Sequence, residues 1–260
     1  RGRLKDTWAA VRTRSGKVVI LGALLGGPIG MTGYVIAINN IGAGYTAIIS
    51  AFYPAVGAIL AFIILKERMS ARQLVAFACA LGGIVAMGVL SLTDAETAGD
   101  PVLGLVGAAA CVLGWGSEAV LCGWGMRDDA VDNETALQIR ETTSALVYAI
   151  IVLPAFGAWA FTAGAIPSLA TGVVALAALA GTTSYLFYYK SISSPLGAAK
   201  SMALNISYSA WAVLFAFVLQ GTVPTLASVV CCVVILGGTI LAASDWNELF
   251  GRGASQVDEA

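Results

Sequence analysis

The sequence is poor in charge and contains no histidine. Of its 260 residues only 11% are Asp, Glu, Lys or Arg, whereas 58% are hydrophobic. A soluble domain carries about 25% charged residues, so a water-soluble globule of this length would lack polar groups to cover its surface. The formal net charge of −1 gives little attraction for a polyanion such as a nucleic acid. These shortages argue against a soluble enzyme or a nucleic-acid-binding protein and favour a polytopic membrane protein.

The missing histidines and the placement of the cysteines also argue against metal binding and histidine-based catalysis. The chain has no imidazole to serve in a proton relay or as a metal ligand. Its five cysteines all lie within apolar runs, show no CxxC pair and are interpreted as small packing residues. The G-x-x-x-x-G-K-[ST] motif of ATP-hydrolysing proteins does not occur. We therefore expect no metal, no cofactor and no catalytic residue.

Eight apolar runs are long enough to cross a bilayer as helices, which takes about 20 residues. Lys and Arg precede the first run and follow every second one, while the alternate loops contain none. By the positive-inside rule this pattern predicts an inner-membrane protein with both ends of the chain in the cytoplasm. The eight runs are 18–38, 44–65, 72–92, 102–125, 135–160, 165–189, 197–219 and 224–244.

The chain repeats itself at a constant offset. Residues 18–90 match residues 173–245 with 17 identities and no gap. The first run is directed outward and its partner, the sixth, inward, which predicts an all-α bundle built from an inverted repeat, as in many secondary transporters. Three regions follow: a partial first repeat of three helices over 1–92, a second repeat of five helices over 102–244, and a cytoplasmic tail over 245–260.

The first repeat has two helices fewer than the second. By the same offset, the counterparts of the two helices in 102–160 would lie before residue 1. We therefore expect a ten-helix parent arranged five plus five, of which eight helices are present here. A true eight-helix protein is the alternative.

Three segments of the first repeat resemble a known transporter group. They are AFYPAVG at 51–57, LKERMS at 65–70 and GG at 82–83. Together they resemble the EamA-type exporters of the drug/metabolite transporter superfamily, whose pattern is a helix with a mid-span proline, a Glu in the short cytoplasmic turn and a Gly-rich helix. The second repeat departs from it, since Ser209 stands in place of the proline and QGT at 220–222 replaces the Glu turn. The resemblance implies a ten-helix, five-plus-five fold.

The leading functional hypothesis is a secondary transporter that moves a small metabolite across the cytoplasmic membrane by alternating access. The expected direction is export, and the expected substrate is, for example, amino-acid-like or amphipathic. A channel or a non-transporting membrane receptor is the alternative, and an enzyme is not indicated. The expected partners are the substrate, the lipid bilayer and, in a homodimer, a second copy of the chain, but no nucleic acid.

Two polar stripes that the repeat aligns are candidate substrate-binding residues. Ser50 and Tyr53 share one helix face, and Asn205 and Tyr208 stand at the equivalent positions of the second repeat. Both tyrosines fall near the middle of their runs, where inverted-repeat transporters bind substrate. Trp211, three residues after Tyr208, is a further candidate. The alternative is hydrogen bonding between helices within the bundle.

Pro54 follows Tyr53 and has no backbone N–H, so it is expected to kink the second run beside the cavity. Ser209 at the equivalent place cannot kink its helix in that way. We therefore expect the two halves to differ in shape at this point.

Aromatic residues elsewhere have simpler interpretations. Tyr188 and Tyr189 precede Lys190 and are predicted to anchor a helix end at the membrane interface. Trp115 and Tyr185 lie deeper in their runs and are predicted to pack in the core.

Four charged residues lie inside the apolar runs: Glu118, Arg140, Glu141 and Lys200. Such charges are rare and usually face a cavity or one another. All four fall in the cytoplasmic half at similar depth, so we expect a paired cluster. In the functional interpretation, Arg140 or Lys200 binds a substrate carboxylate or phosphate, and Glu118 or Glu141 carries a coupling proton. The alternative is an ion-pair gate on the cytoplasmic side, with snorkelling of the basic side chains.

Overall fold

A computed structural model of the chain describes residues 4–90, 92 and 99–245, which contain helices and no β-strand. The predicted tail, 245–260, lies outside the described residues except for Asp245. The helices are α1 (Leu4–Ala10), α2 (Arg14–Leu24), α3 (Thr32–Ser50), α4 (Tyr53–Leu60), α5 (Ala71–Leu90), α6 (Pro101–Gly125), α7 (Asn133–Val147), α8 (Leu153–Ala155), α9 (Trp159–Ala165), α10 (Leu169–Ile192), α11 (Gly197–Asn205), α12 (Tyr208–Gln220) and α13 (Leu226–Ala243). Three π-helical segments, Leu25–Met31, Ala61–Leu65 and Tyr148–Val152, continue α2, α4 and α7.

Seven helical segments of the described chain are long and apolar enough to cross a membrane, where the sequence predicted eight. The difference arises in the first two runs. Arg14–Ser50 is helical over 37 residues, through the first run and the start of the second, and Tyr53–Leu65 is too short on its own. The backbone is nevertheless non-helical at Gly42, where φ is 81° and ψ is 160°, and the segment kinks there.

Polar caps begin the equivalent helices of the two halves. The Thr13 hydroxyl accepts a hydrogen bond from the Gly16 N–H (3.0 Å) at the start of α2. The Ser168 hydroxyl accepts one from the Thr171 N–H (3.2 Å) at the start of α10, 155 residues further on. Each cap satisfies one of the backbone donors that a helix N-terminus leaves free. The sequence repeat is therefore accompanied by equivalent local structure.

Each half also contains one broken helix. Gly42, at the kink of α3, and Gly197, at the start of α11, have φ of 81° and 78°, and both conformations favour glycine. Both helices are interrupted about nine residues later and resume at Tyr53 and Tyr208. The left-handed residues that end them are likewise equivalent, Lys66 (φ 60°) and Gly221 (φ 69°).

The expectation that the halves differ in shape beside Pro54 is wrong. Pro54 lies in the first turn of α4, where a missing N–H costs nothing, directly after the interruption. The second half is interrupted at the same place without a proline. There the Ser209 hydroxyl donates to the Ile206 carbonyl (3.0 Å), a local bond that competes with the helical pattern and bends helices.

The helices α5 and α13 join the two halves through reciprocal contacts. A Cβ added at Gly83 would meet the Ile235 side chain at 2.8 Å, and one at Gly238 would meet the Ala80 side chain at 3.0 Å. Gly83 and Gly238 are equivalent in the repeat, as are Ala80 and Ile235. An exchange of partners of this kind is what a two-fold relation produces at an interface.

Burial differs sharply between α6 and α10. Helix α6 lies at the centre, packed against α2, α3 and α4, and contains thirteen buried residues. In α10 only Tyr189 and Ile192 are buried, both at its C-terminal end. The rest of α10 presents apolar side chains such as Leu176 and Leu179 to the surroundings.

Candidate functional site

A cavity of about 270 Å³ lies between the broken helices and α6. Four of the predicted substrate-binding residues line it: Ser50, Tyr53, Asn205 and Tyr208. Its remaining lining residues are Met31, Tyr34, Trp115, Glu118, Ala119, Tyr185 and Tyr188. Six aromatic rings and one carboxylate therefore surround the space, and both halves contribute to it.

The cavity wall is held by a contact between the two halves. The Asn205 amide donates a hydrogen bond to the Tyr53 hydroxyl (2.7 Å) across 152 residues of sequence. The Tyr53 ring meets the Trp115 ring edge to face, with centroids 5.6 Å apart, an arrangement that aromatic pairs favour. Trp115 in turn lies 5.2 Å from the Tyr34 ring. These rings hold one another in place, so that the shape of the cavity is set before a ligand binds.

Glu118 lies in the cavity wall and is tied to α7 and α10. Its Oε1 accepts hydrogen bonds from Arg140 Nε (2.9 Å) and the Tyr189 hydroxyl (3.0 Å). The Tyr189 hydroxyl also lies 3.3 Å from Cys122 Sγ. Gly26 provides the room for this carboxylate, because a Cβ there would clash with it. Glu118 is only 5% exposed, and a carboxylate so buried needs such partners.

Arg140 lies behind Glu118 and does not line the cavity. It is held between two carboxylates, with Nη1 donating to Glu141 Oε1 at 2.8 Å. Its guanidinium also stacks over the Tyr185 ring, 4.2 Å from the centroid, in a cation–π contact. The cluster of two carboxylates and one guanidinium has a formal charge of −1, and the face it presents to the cavity is a carboxylate.

The other predicted site residues lie apart from this arrangement. In the described part of the chain Lys200, half-buried on α11, has no ion pair with the cluster. Trp211 is 50% exposed and lies outside the lining of the cavity. Pro54 is buried beside Tyr53 and does not reach the cavity. No group of three His, Cys, Asp or Glu side chains in the described chain is arranged to hold a metal ion.

Sequence reasoning missed four aromatic lining residues: Tyr34, Trp115, Tyr185 and Tyr188. The predicted interfacial position of Tyr189 is also wrong, because this side chain is fully buried and bonds Glu118. The spacing of Tyr185, Tyr188 and Tyr189 gave a signal, since residues i, i+3 and i+4 share one helix face. A stripe of hydroxyl-bearing rings in an apolar run is poorly suited to face lipid.

Glu67 is a further residue whose position the sequence did not reveal. It belongs to the turn after α4, yet its carboxylate reaches α11 in the other half. Oε1 accepts from the Ala198 N–H (2.9 Å) and Oε2 from the Ala199 N–H (2.8 Å). Two sequence-distant segments are thereby joined at the end of the molecule that contains Lys66.

A second cavity of about 520 Å³ lies toward the opposite end. It shares Tyr34, Ser50 and Tyr208 with the central cavity and extends to Thr222 in the loop before α13. The central space therefore continues toward the Thr222 end, whereas the Lys66 end is bridged by Glu67.

Comparison with known proteins shows what parts of the chain are similar to. Protein LicB of Haemophilus influenzae is 29% identical to the chain over 195 residues, which are 74% of this chain and 63% of LicB. The chain thus spans less than two thirds of that relative's length. Residues 3–89 match the EamA-like transporter family. Its described helices are long and apolar enough to span a membrane, and the chain is a multi-pass membrane protein whose N-terminal third is similar to the EamA-like transporter family.

Proposed function

We propose that the chain is the core of a secondary transporter that moves a small molecule across the inner membrane by alternating access. The observation that carries the proposal is the central cavity, which is walled by the broken helices of both halves and joined across them by Tyr53 and Asn205. Interrupted helices at the interface of two repeats are where secondary transporters place their substrate.

An inverted repeat supports this mechanism. The caps, the positive-φ glycines, the interruptions and the left-handed helix ends all recur at the same offset. The contacts of Gly83 and Gly238 are reciprocal. Two halves with the same internal form can exchange roles, so that one end of the cavity opens as the other closes.

The exposed surface of α10 supports a ten-helix parent. The segment equivalent to α10 in the first half is α2 with the beginning of α3, and it packs against α6 and α7. We propose that a pair of helices equivalent to α6 and α7 covers α10 in the same manner. LicB has room for such a pair, since the alignment covers 63% of its length.

The lining favours a substrate with a positively charged group. Aromatic faces attract cations, and quaternary ammonium groups are bound by several rings together. Glu118 adds a carboxylate, while the guanidinium of Arg140 is already engaged by Glu118 and Glu141. The sequence-based idea that Arg140 holds a substrate carboxylate is therefore less favourable than an organic cation near Glu118.

Counterflow tests the transport proposal. The protein is reconstituted in liposomes loaded with unlabelled tetramethylammonium, and uptake of the labelled ion is followed from outside. A carrier gives saturable uptake that internal substrate accelerates, because exchange avoids the slow return of the empty cavity. Uptake that rises linearly with concentration, without acceleration, would instead indicate a channel.

Thermal unfolding in detergent tests the charge preference separately. A ligand that binds the folded state raises its apparent stability, so tetramethylammonium is expected to raise the midpoint and acetate is not. Trp115→Leu should abolish the rise, whereas the matched change Trp159→Leu, on the exposed helix α9, should preserve it. Stabilisation by acetate but not by the cation would contradict the proposed substrate class.

A further inference from the structure

Glu67 makes a contact that is unusual for a turn residue. Both of its carboxylate oxygens accept backbone hydrogen bonds from the first turn of α11, at 2.9 and 2.8 Å. A carboxylate is favoured at a helix N-terminus, where free N–H groups and the helix dipole concentrate positive charge, and such charge-assisted bonds are stronger than neutral ones. The bonds connect residues more than 130 positions apart.

Gly197 is shaped to receive this carboxylate. Its φ of 78° is strained for any residue with a side chain. A Cβ at Gly197 would also lie 2.7 to 2.9 Å from the carboxylate atoms of Glu67, closer than real side-chain contacts allow. The positive φ of Gly197 and its missing side chain therefore both allow the Glu67 carboxylate to approach this helix start.

The opposite end of the molecule has a glycine of similar conformation but no such contact. The residue equivalent to Glu67 is Thr222, and the equivalent helix start follows Gly42 with a φ of 81°. Within the described residues no hydrogen bond joins the Thr222 side chain to that helix start. Thr222 instead lines the 520 Å³ cavity that continues the central space. One end is bridged by a carboxylate, and its counterpart is open.

We propose that Glu67 is the latch that closes the Lys66 end of the central cavity. Its release from Ala198 and Ala199 frees α11 to move when that end opens, and the Thr222 end closes in the same transition. This inference rests on the alternating-access proposal. In this proposal, the Glu67 carboxylate is the group that stabilises the state in which the Thr222 end is open.

Hydrogen–deuterium exchange of the full chain in lipid nanodiscs tests the latch without requiring transport. In the unchanged protein, the amides of Ala198 and Ala199 should exchange at least tenfold more slowly than those of Ala43 and Gly44. Glu67→Gln should remove most of that protection and, in the same sample, increase the protection of residues 220–225. The matched control is Asp129→Asn, which removes an exposed carboxylate between α6 and α7 and should change neither segment.

The coupled change separates a latch from a merely structural bond. If Glu67→Gln raises exchange only at Ala198 and Ala199, or changes nothing there, the proposal is overturned. A second variant adds the latch where it is missing: Thr222→Glu should slow exchange at Ala43 and Gly44 and raise it at Ala198 and Ala199. The exchange measurements do not require transport. A negative counterflow experiment together with the coupled exchange changes would contradict the proposed transport activity or substrate class but not the latch.

Discussion

The two broken helices, residues 43–65 and 197–220, have nearly the same backbone but different side chains at the points that matter. Each begins beside a glycine with φ near 80°, stops at the same place and resumes at a tyrosine. The position of Ser50 in the first repeat is occupied by Asn205 in the second, and the position of Glu67 is occupied by Thr222. Thus the backbone is similar at repeat-equivalent positions, while a few polar residues make one end and one wall of the cavity unlike the other.

The charged cluster lies on α6 and α7, whose repeat-equivalent positions fall before residue 1, so it is compared with the repeated helices and not with a counterpart. Arg140→Gln leaves the Glu118 carboxylate nearly buried without its cation, so we expect a loss of about 3–5 kcal/mol in the free energy of unfolding. The measurement is denaturant unfolding in detergent, followed by circular dichroism.

The double variant Glu118→Gln with Arg140→Gln is the control for that prediction. It removes both charges together, so most of the lost stability should return. A double variant as unstable as Arg140→Gln alone would show that packing around Arg140, rather than charge pairing, is responsible.

The two equivalent glycines with positive φ, Gly42 and Gly197, offer a matched test of the Glu67 contact, which only Gly197 makes. Alanine at either Gly42 or Gly197 forces an L-residue into a conformation that costs about 1–3 kcal/mol. Gly197→Ala should cost more than Gly42→Ala, because its new methyl group also displaces the Glu67 carboxylate. Unfolding midpoints of the two variants measured side by side decide this, and equal losses would contradict the role given to Glu67.

The two central tyrosines differ in their hydroxyl partners. Tyr53 accepts the bond from Asn205, whereas the Tyr208 hydroxyl makes no hydrogen bond within the part of the chain that the structure describes. Tyr53→Phe should therefore destabilise the fold by about 1 kcal/mol, and Tyr208→Phe should change stability by less than about 0.5 kcal/mol. Thermal unfolding of both variants checks the difference, and a reversed order would show that the Asn205 bond contributes little.

Pro54→Ala is expected to change the backbone least. Because the second half is interrupted without a proline, the interruption before α4 does not depend on Pro54, and the variant should keep the break while losing about 1 kcal/mol of stability, because a fully buried ring is removed and the unfolded chain becomes freer. Hydrogen exchange at Ala51 and Phe52 should remain unchanged. Slower exchange there, as in a continuous helix, would show that the proline maintains the break after all.

Much of the framework was readable in the sequence because it follows from local rules. Long apolar runs predict membrane helices, and the internal repeat aligns residues such as Thr13 and Ser168, each of which caps a helix. The count of eight spans was not reproduced, since hydropathy does not show that the helix from Arg14 continues through the kink at Gly42. Pairing of Glu118 with Arg140 and Glu141 was foreseeable, because charges at one depth in an apolar bundle seek each other.

The sequence alone determined that this chain is a helical membrane protein with an internal sequence repeat, because composition, run length and repetition are properties of the chain itself. Only the tertiary structure decided which polar groups meet. Glu67 bonds α11 and Tyr189 bonds Glu118 across distances in sequence that no local pattern spans. The same packing turned Arg140 away from the cavity and left its carboxylate partner in the wall. Whether a buried charge meets substrate or another charge depends on which helices pack side by side, and that is settled by the whole fold.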